Sequence, residues 1–430
     1  MNAGKQRFSR GVRENIQACM LPGRSAGRLT AAAAFLTYLY IQLYVIGALA
    51  GSAEADAPRE EVPLDTSGTL SALVLGPAND LDAAHDRWQA WKAGHGLPVT
   101  MGAFHWFHVN NGGPNATGYG IPGLEGTYFY YVQLDPQFTP APGPVRGVGA
   151  HVDFRFRDSA DPLRPFYDHT YWFYELYGWI DTDVGRFKAG QIWRRFGLDW
   201  DGSWWGDVQF FDGFKFNPDY GLSWEQRWDI SDRVQLDSFV QYFAAQDGIS
   251  SALAGGNPES VPGADARNTG IIRLVPRWNF SGSSSLALGV SALAGENHGI
   301  TPQGGNDAQT AVGVDLTFTQ DQFAVFGEAL RSYGIVNPRR YVTGGPSDRI
   351  SELLFGGSYR LGPVLFRVAW SAGFDENPAG RQYMWVPGVT LAITKNLDLY
   401  AEYVRWDVIP DGGPRFIFED GAQLILNWHL

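Results

Sequence analysis

The sequence predicts an all-β chain closed into a single antiparallel barrel of about sixteen strands. Three observations predict it. Apolar and polar residues alternate at period two in one segment after another from Val99 onward. Tight and long connections alternate between those segments. The final segment is itself a strand and runs to Leu430.

Composition narrows the field before any element is placed. The chain has 430 residues, 33 Lys and Arg against 45 Asp and Glu, 53 Gly, 14% aromatics and one Cys. An acidic balance argues against a nucleic-acid partner, because phosphate binding needs clustered cations. One cysteine excludes a disulfide scaffold and a Cys-based zinc site. With 44% hydrophobic residues and a mean hydropathy of −0.20, the chain is neither disordered nor a bundle of membrane helices.

Residues 1–55 read as a secretory signal. Arg24 and Arg28 precede the one long apolar run, Leu29–Ala50, and Ala48-Leu49-Ala50 and Ala53-Glu54-Ala55 supply small residues where a peptidase cuts. The competing reading is an uncleaved anchor, because a run of about 20 residues can cross a bilayer. Met20 is a second candidate start. Cleavage after Ala55 leaves 375 residues with 27 basic and 43 acidic side chains, net −16, and removes Cys19. Residues 56–98 form an N-terminal segment. Within it Leu81, Ala84, Trp88 and Trp91 fall at helical spacing, which predicts a short helix over Ala78–Lys92 with Gly94 as its stop.

The barrel itself is assigned to residues 99–430. In Val145–Arg157, Val148, Ala150, Val152, Phe154 and Phe156 point one way, while His151, Asp153, Arg155 and Arg157 point the other. Val234–Ala245, Val364–Phe374 and Leu397–Trp406 repeat this dichotomy. Sixteen such runs begin near residues 99, 126, 145, 170, 185, 220, 234, 270, 285, 308, 323, 350, 364, 383, 397 and 422. Six connections are tight: Asp181–Val184, Asp229–Arg233, Ser281–Ser284, Thr319–Gln322, Leu361–Pro363 and Thr394–Asn396. Between them lie Phe196–Asp219, Gln246–Asn268, Ala294–Asp307, Gly334–Arg349, Asp375–Gln382 and Asp407–Gly421. Membrane barrels show this asymmetry, with short turns at one end, long loops at the other and an even strand number. In the last run Ala422, Leu424, Leu426, Trp428 and Leu430 share one face, so it is placed to close against the first.

These features together resemble the Gram-negative porins: sixteen alternating strands, a signal peptide, no mature cysteine and a closing C-terminal strand. A helix followed by the strand Leu97–Val109 is similar to their carbohydrate-selective branch. The resemblance is architectural and covers roughly residues 78–430. It implies an outer-membrane location, passive diffusion of ions or sugars, no cofactor and a homotrimer. The usual ending in Phe or Trp is replaced by Leu430.

On this reading the apolar face meets outer-membrane lipid and the polar face lines a channel for small hydrophilic solutes. Parity selects Asp153, Arg155, Arg157, Glu225, Arg227, Arg273, Arg277, Glu352, Arg360, Arg367 and Glu402 as pore-lining, with Asp315 as a further acid. Charged rings set ion preference, and arginine forks also bond sugar hydroxyls. The competing reading is that these charges pair with each other and only solvate the wall. The Phe196–Asp219 connection carries Asp199, Trp200, Asp201, Trp204, Trp205, Asp207, Phe210, Phe211, Asp212, Phe214 and Phe216. So many large apolar groups are not expected to face water. In porins the third external loop folds inward, so this one is expected to form the constriction, its carboxylates set against wall arginines. A clamp on a neighbouring loop or a subunit contact are its alternatives.

Other constellations dissolve. His105 and His108 fall on opposite faces of a strand, and Asp199-x-Asp201-Gly202 lacks the later ligands of a calcium loop. No phosphate loop or nucleophile elbow occurs, which argues against an enzyme. A barrel lipase or protease, and a secreted glycan-binding β-protein, are the other classes left open.

Overall fold

A sheet with one apolar and one polar face has no free edge only if it curls until its ends meet. In the computed structural model it does. The structure describes residues 86–87, 89–93, 98–110, 125–138, 143–161, 164–198, 218–245, 265–298, 306–333, 349–376 and 379–429, all within one compact unit, His85–Leu430. The strands are β1 (Val99–Asn110), β2 (Glu125–Leu134), β3 (Gln137–Phe138), β4 (Val145–Asp161), β5 (Arg164–Thr182), β6 (Gly185–Ile192), β7 (Asp219–Ser231), β8 (Val234–Ala245) and β9 (Asp265–Ser281). They continue as β10 (Ser284–His298), β11 (Asn306–Gln320), β12 (Phe323–Tyr333), β13 (Arg349–Leu361), β14 (Val364–Glu376), β15 (Ala379–Thr394), β16 (Leu397–Pro410) and β17 (Phe416–His429).

Each strand pairs antiparallel with its sequence neighbour, and β17 returns to β1 over Gly102↔His429 to Asn110↔Gly421. β2 and β3 both pair with β4, so they are one stave interrupted at Asp135 and Pro136. Counted that way, the closed barrel has 16 staves. The interruption is bridged locally: Asp135 N–H donates to Pro98 O (2.9 Å) and Ala150 N–H to Pro136 O (3.1 Å).

The two faces separate as the alternation predicts. On β9, Ile272 (54% exposed) and Leu274 stand outward, whereas Ile271 (1%), Arg273 and Val275 stand inward. Val312, Val314, Phe355, Phe366, Val368 and Trp385 extend the exposed apolar outer wall around β11–β15. An apolar face of this extent is costly in water and favourable against hydrocarbon.

All six predicted tight connections are two-residue turns, for example Asp232–Arg233 and Gly362–Pro363. The opposite end departs from the prediction. Asp375–Gln382 is not a long connection: β14 ends at Glu376 and β15 starts at Ala379. Asp407–Gly421 shrinks to residues 411–415. Strands continue beyond the level where the outward side must be apolar, so the alternation fades before the hydrogen-bond ladder ends. The fifth run also ends early, at Ile192 rather than near residue 196. Of the predicted helix, residues 86–87 and 89–93 are helical, and 78–85 lie outside the described residues. The helix stands at the turn end. Lys92 Nζ donates to Val99 O (2.9 Å), and Asp86 pairs with Lys395 of the β15–β16 turn (2.9 Å).

Candidate functional site

The inward face is where chemistry collects. Asp153, Ser223, Asp237, Gln241, Thr269, Arg273, Ser291, Gln309, Asp315, Glu328, Ser332, Glu352, Arg367, Ser371, Gln382 and Glu402 are all buried there. Buried charge must be paired or hydrogen-bonded, and the wall arginines are answered mainly by wall acids. Arg155 Nη2 donates to Asp153 (3.0 Å) while its guanidinium lies 3.2 Å above the Tyr174 ring. Gln133 Nε2 donates to the same carboxylate (3.2 Å). Arg227 Nε donates to Asp237 (2.6 Å), and Arg277 approaches the other oxygen (3.9 Å). Glu225 is answered by Lys188 (2.8 Å).

Arg273 makes the fullest contact. Its Nη1 donates to Asp315 Oδ2 (2.5 Å) and Ser291 Oγ (2.8 Å), and its Nη2 donates to Asp315 Oδ1 (3.0 Å). Asp315 stands on β11 and reaches across β10 to β9 at its register partner Gly289. Any Cβ at Gly289 would collide with the carboxylate, so glycine is what allows the fork to close.

The chain after β6 does not stay in the wall. Trp193–Leu198 leaves the sheet and runs across the inward face, bonding to one strand after another. Trp193 N–H donates to Glu175 on β5 (3.2 Å). Arg195 N–H donates to Gln241 Oε1 on β8 (2.7 Å), and Gln241 Nε2 returns a bond to Trp193 O (2.9 Å). Gly197 N–H donates to Ser291 Oγ on β10 (3.1 Å), and Leu198 N–H to Glu328 Oε2 on β12 (2.8 Å). Inward side chains thus supply acceptors for a backbone that has left its own ladder.

Apolar contacts hold the same segment. Phe196 packs with Ile192, Phe243, Ile271, Leu293, Ala311 and Leu330. Leu198 belongs to a buried apolar cluster with Phe326, Leu354, Ala369, Met384, Val386, Val404, Trp406 and Val408. The inward face is therefore not polar throughout, as parity had implied. Where the segment lies on it, apolar side chains surround the polar anchors. Arg194, itself buried, pairs with Asp219 at the start of β7, which joins the two necks of the 196–219 connection.

The remaining sequence candidates fall out as follows. Arg367 is buried and donates to Thr390 Oγ1 (2.5 Å). It shares a register row with Glu402 through Gly388. Glu352 is buried on the inward face of β13, and Arg360 is exposed near the turn end of that strand. Arg157 pairs in register with Thr170, its side chain lying outside the described ones. Asp199, Trp200, Asp201, Trp204, Trp205, Asp207 and Asp212 lie outside the described residues. Sequence reasoning missed Glu175, Gln241, Ser291 and Glu328, the anchors of the crossing segment. Gln241, on the polar side of Val234–Ala245, and Glu328, a carboxylate at inward parity in the apolar run Phe323–Leu330, carried a signal.

No protein-family model and no curated protein matches the sequence. Solved structures do match. Among them is the outer membrane channel DcaP of Acinetobacter baumannii, with a TM-score of 0.50 and 12% identity over 78% of this chain and 96% of that one. Another is OmpF of Salmonella typhi, solved in complex with daunomycin, with a TM-score of 0.52 and 13% identity over 78% and 99%. At such identities the likeness is one of fold: this chain is a closed β-barrel of the same build as those two proteins.

Proposed function

We propose that the protein is an outer-membrane channel through which small hydrophilic solutes, ions or sugars, diffuse passively. The observation that carries this reading is the two-faced closed wall. Its outer surface is apolar, and its inner surface holds paired charges and a chain segment lying across it. A closed barrel leaves no unsatisfied sheet edge in hydrocarbon, and a polar interior offers solutes replacements for lost hydration. On this reading residues 1–55 direct export and are removed, and residues 56–98 form a short periplasmic segment. Asp153, Arg155, Glu225, Arg227, Arg273, Arg277, Glu352, Arg360, Arg367 and Glu402 face the pathway, and the 196–219 connection narrows it. Assembly as a homotrimer belongs to the same reading. The similarity in fold to a protein called an outer membrane channel supports it.

Reconstitution of the refolded barrel in planar bilayers tests the reading. Stepwise ohmic conductance, reduced by added sugars or shifted in reversal potential by a salt gradient, is the expected result. A barrel that inserts and passes no current overturns it. Migration on a native gel at three barrel masses checks the trimer independently.

A further inference from the structure

Among the described strands, every ladder but one joins near neighbours in the chain. The exception is the seam, where β1 meets β17 with no turn to hold them together. Among the described residues β17 reaches β1 only from Gly102 onward, and Val99–Met101 have β2 alone as a strand partner. A backbone edge of this kind needs a donor or acceptor from elsewhere.

The helix before β1 supplies one. Gln89 is half-buried and Lys92 buried, one turn apart, whereas Asp86, Arg87, Ala90, Trp91 and Ala93 are exposed. Lys92 Nζ donates to Val99 O on one side of the seam (2.9 Å), and Asp86 meets Lys395 in the β15–β16 turn on the other (2.9 Å). From Asp86 to Lys92 a helix axis advances about 9 Å. β1 and β16 stand two strand spacings apart, about 10 Å. The helix thus lies across the strands and bridges the end of β17.

Burial at the same place is a second observation. Five of the six two-residue turns are exposed: 183–184, 232–233, 282–283, 321–322 and 362–363. At the sixth, Asn396 is 1% exposed and Leu397 5%, and Thr394 is buried as well. Leu397 starts β16 at an outward position, as Phe323 starts β12, yet Phe323 is 44% exposed. The row of Leu397 continues over the seam as Leu397↔Trp428 and Trp428↔Ala103. Ala103 is buried, and so is the indole Nε1 of Trp428. Burial of an outward row requires a cover, and the helix is anchored on both sides of this one.

We infer that this helix is the clasp of the barrel: it covers the Leu397, Trp428 and Ala103 row and holds β1 to β17 and β16. The Asp86–Lys395 pair, 60% exposed on each side, adds little to the hold. Lys92 and the buried row supply it. The seam is the ladder that most needs such help, because no short connection keeps its strands together when they part. Closure of the ring is independent of what passes through it, so seam exchange and bilayer conductance fail separately.

Hydrogen exchange of the refolded full chain in detergent, read by mass spectrometry, tests the clasp. Ala90→Pro breaks the helix from its exposed side. Lys92→Met keeps the stem and removes only the donor. Each should raise exchange of the β17 amides about ten-fold, the worth of one hydrogen bond to a charged group. Exchange in β7 and β8, away from the seam, should stay as in wild type. Equal β17 exchange in wild type and both variants overturns the clasp. An equal rise in β7 and β8 also overturns it, since that marks general loosening. If A90P does not refold, K92M alone decides between these outcomes.

Discussion

Replacing Arg273 by Ala should destabilise the barrel by about 3–5 kcal/mol, because it leaves the Asp315 carboxylate charged and unanswered inside the wall. The side chains of this pair are 10% and 3% exposed, so water cannot take over the lost contacts. Urea unfolding of the refolded protein, followed by heat-modifiable gel migration, measures the effect. R273M/D315L, which removes both charges and keeps volume, should recover most of the loss. A midpoint unchanged in R273A would show that the fork carries no stability. Because Ser291 Oγ accepts from both Arg273 and Gly197, R273A should also slacken the crossing segment.

Gly197→Ala should release that segment while leaving the barrel closed. Gly197 has φ +67°, and a Cβ there would run into the Glu328 carboxylate. The left-handed conformation alone costs an L-residue about 1–2 kcal/mol, which multiplies the detached population by about 5–30. Single-channel recording should show a larger and noisier open level. E328Q keeps an acceptor for Leu198 N–H and should stay near wild type, whereas E328A should follow G197A. If G197A conducts like wild type, the crossing segment does not limit the pathway.

Much of this architecture was written in the alternation, and the failures have physical causes. Val364, Phe366, Val368 and Trp370 were legible because hydrocarbon demands an apolar side chain at every second position. The Ala379–Arg381 stretch was not, because the alternation fades towards this end of β15 and Gly380 looks like a loop residue. Val404, Trp406 and Val408 blurred the pattern from the other side, being inward and apolar to receive Leu198. The pairing of Arg227 with Asp237 required register, which parity within one strand does not supply. The inward path of Trp193–Leu198 had a hint in its aromatics. Their common role was illegible, since Gln241, Ser291 and Glu328 are far apart in sequence and meet only through the closed sheet.

Ring closure sets the order in which this chain can acquire its shape. β1 finds its second neighbour only in β17, with Gly102 opposite His429. Closing so long a loop costs about 5 kcal/mol of chain entropy by the logarithmic rule. Until that ladder forms, β1 and β17 present unpaired backbone, the template on which other chains add. The hairpins joined by two-residue turns can form early and locally, but the cylinder becomes one object only at the last pairing. Folding of this protein is thus a matter of guarding two open seams while the final strand is delivered.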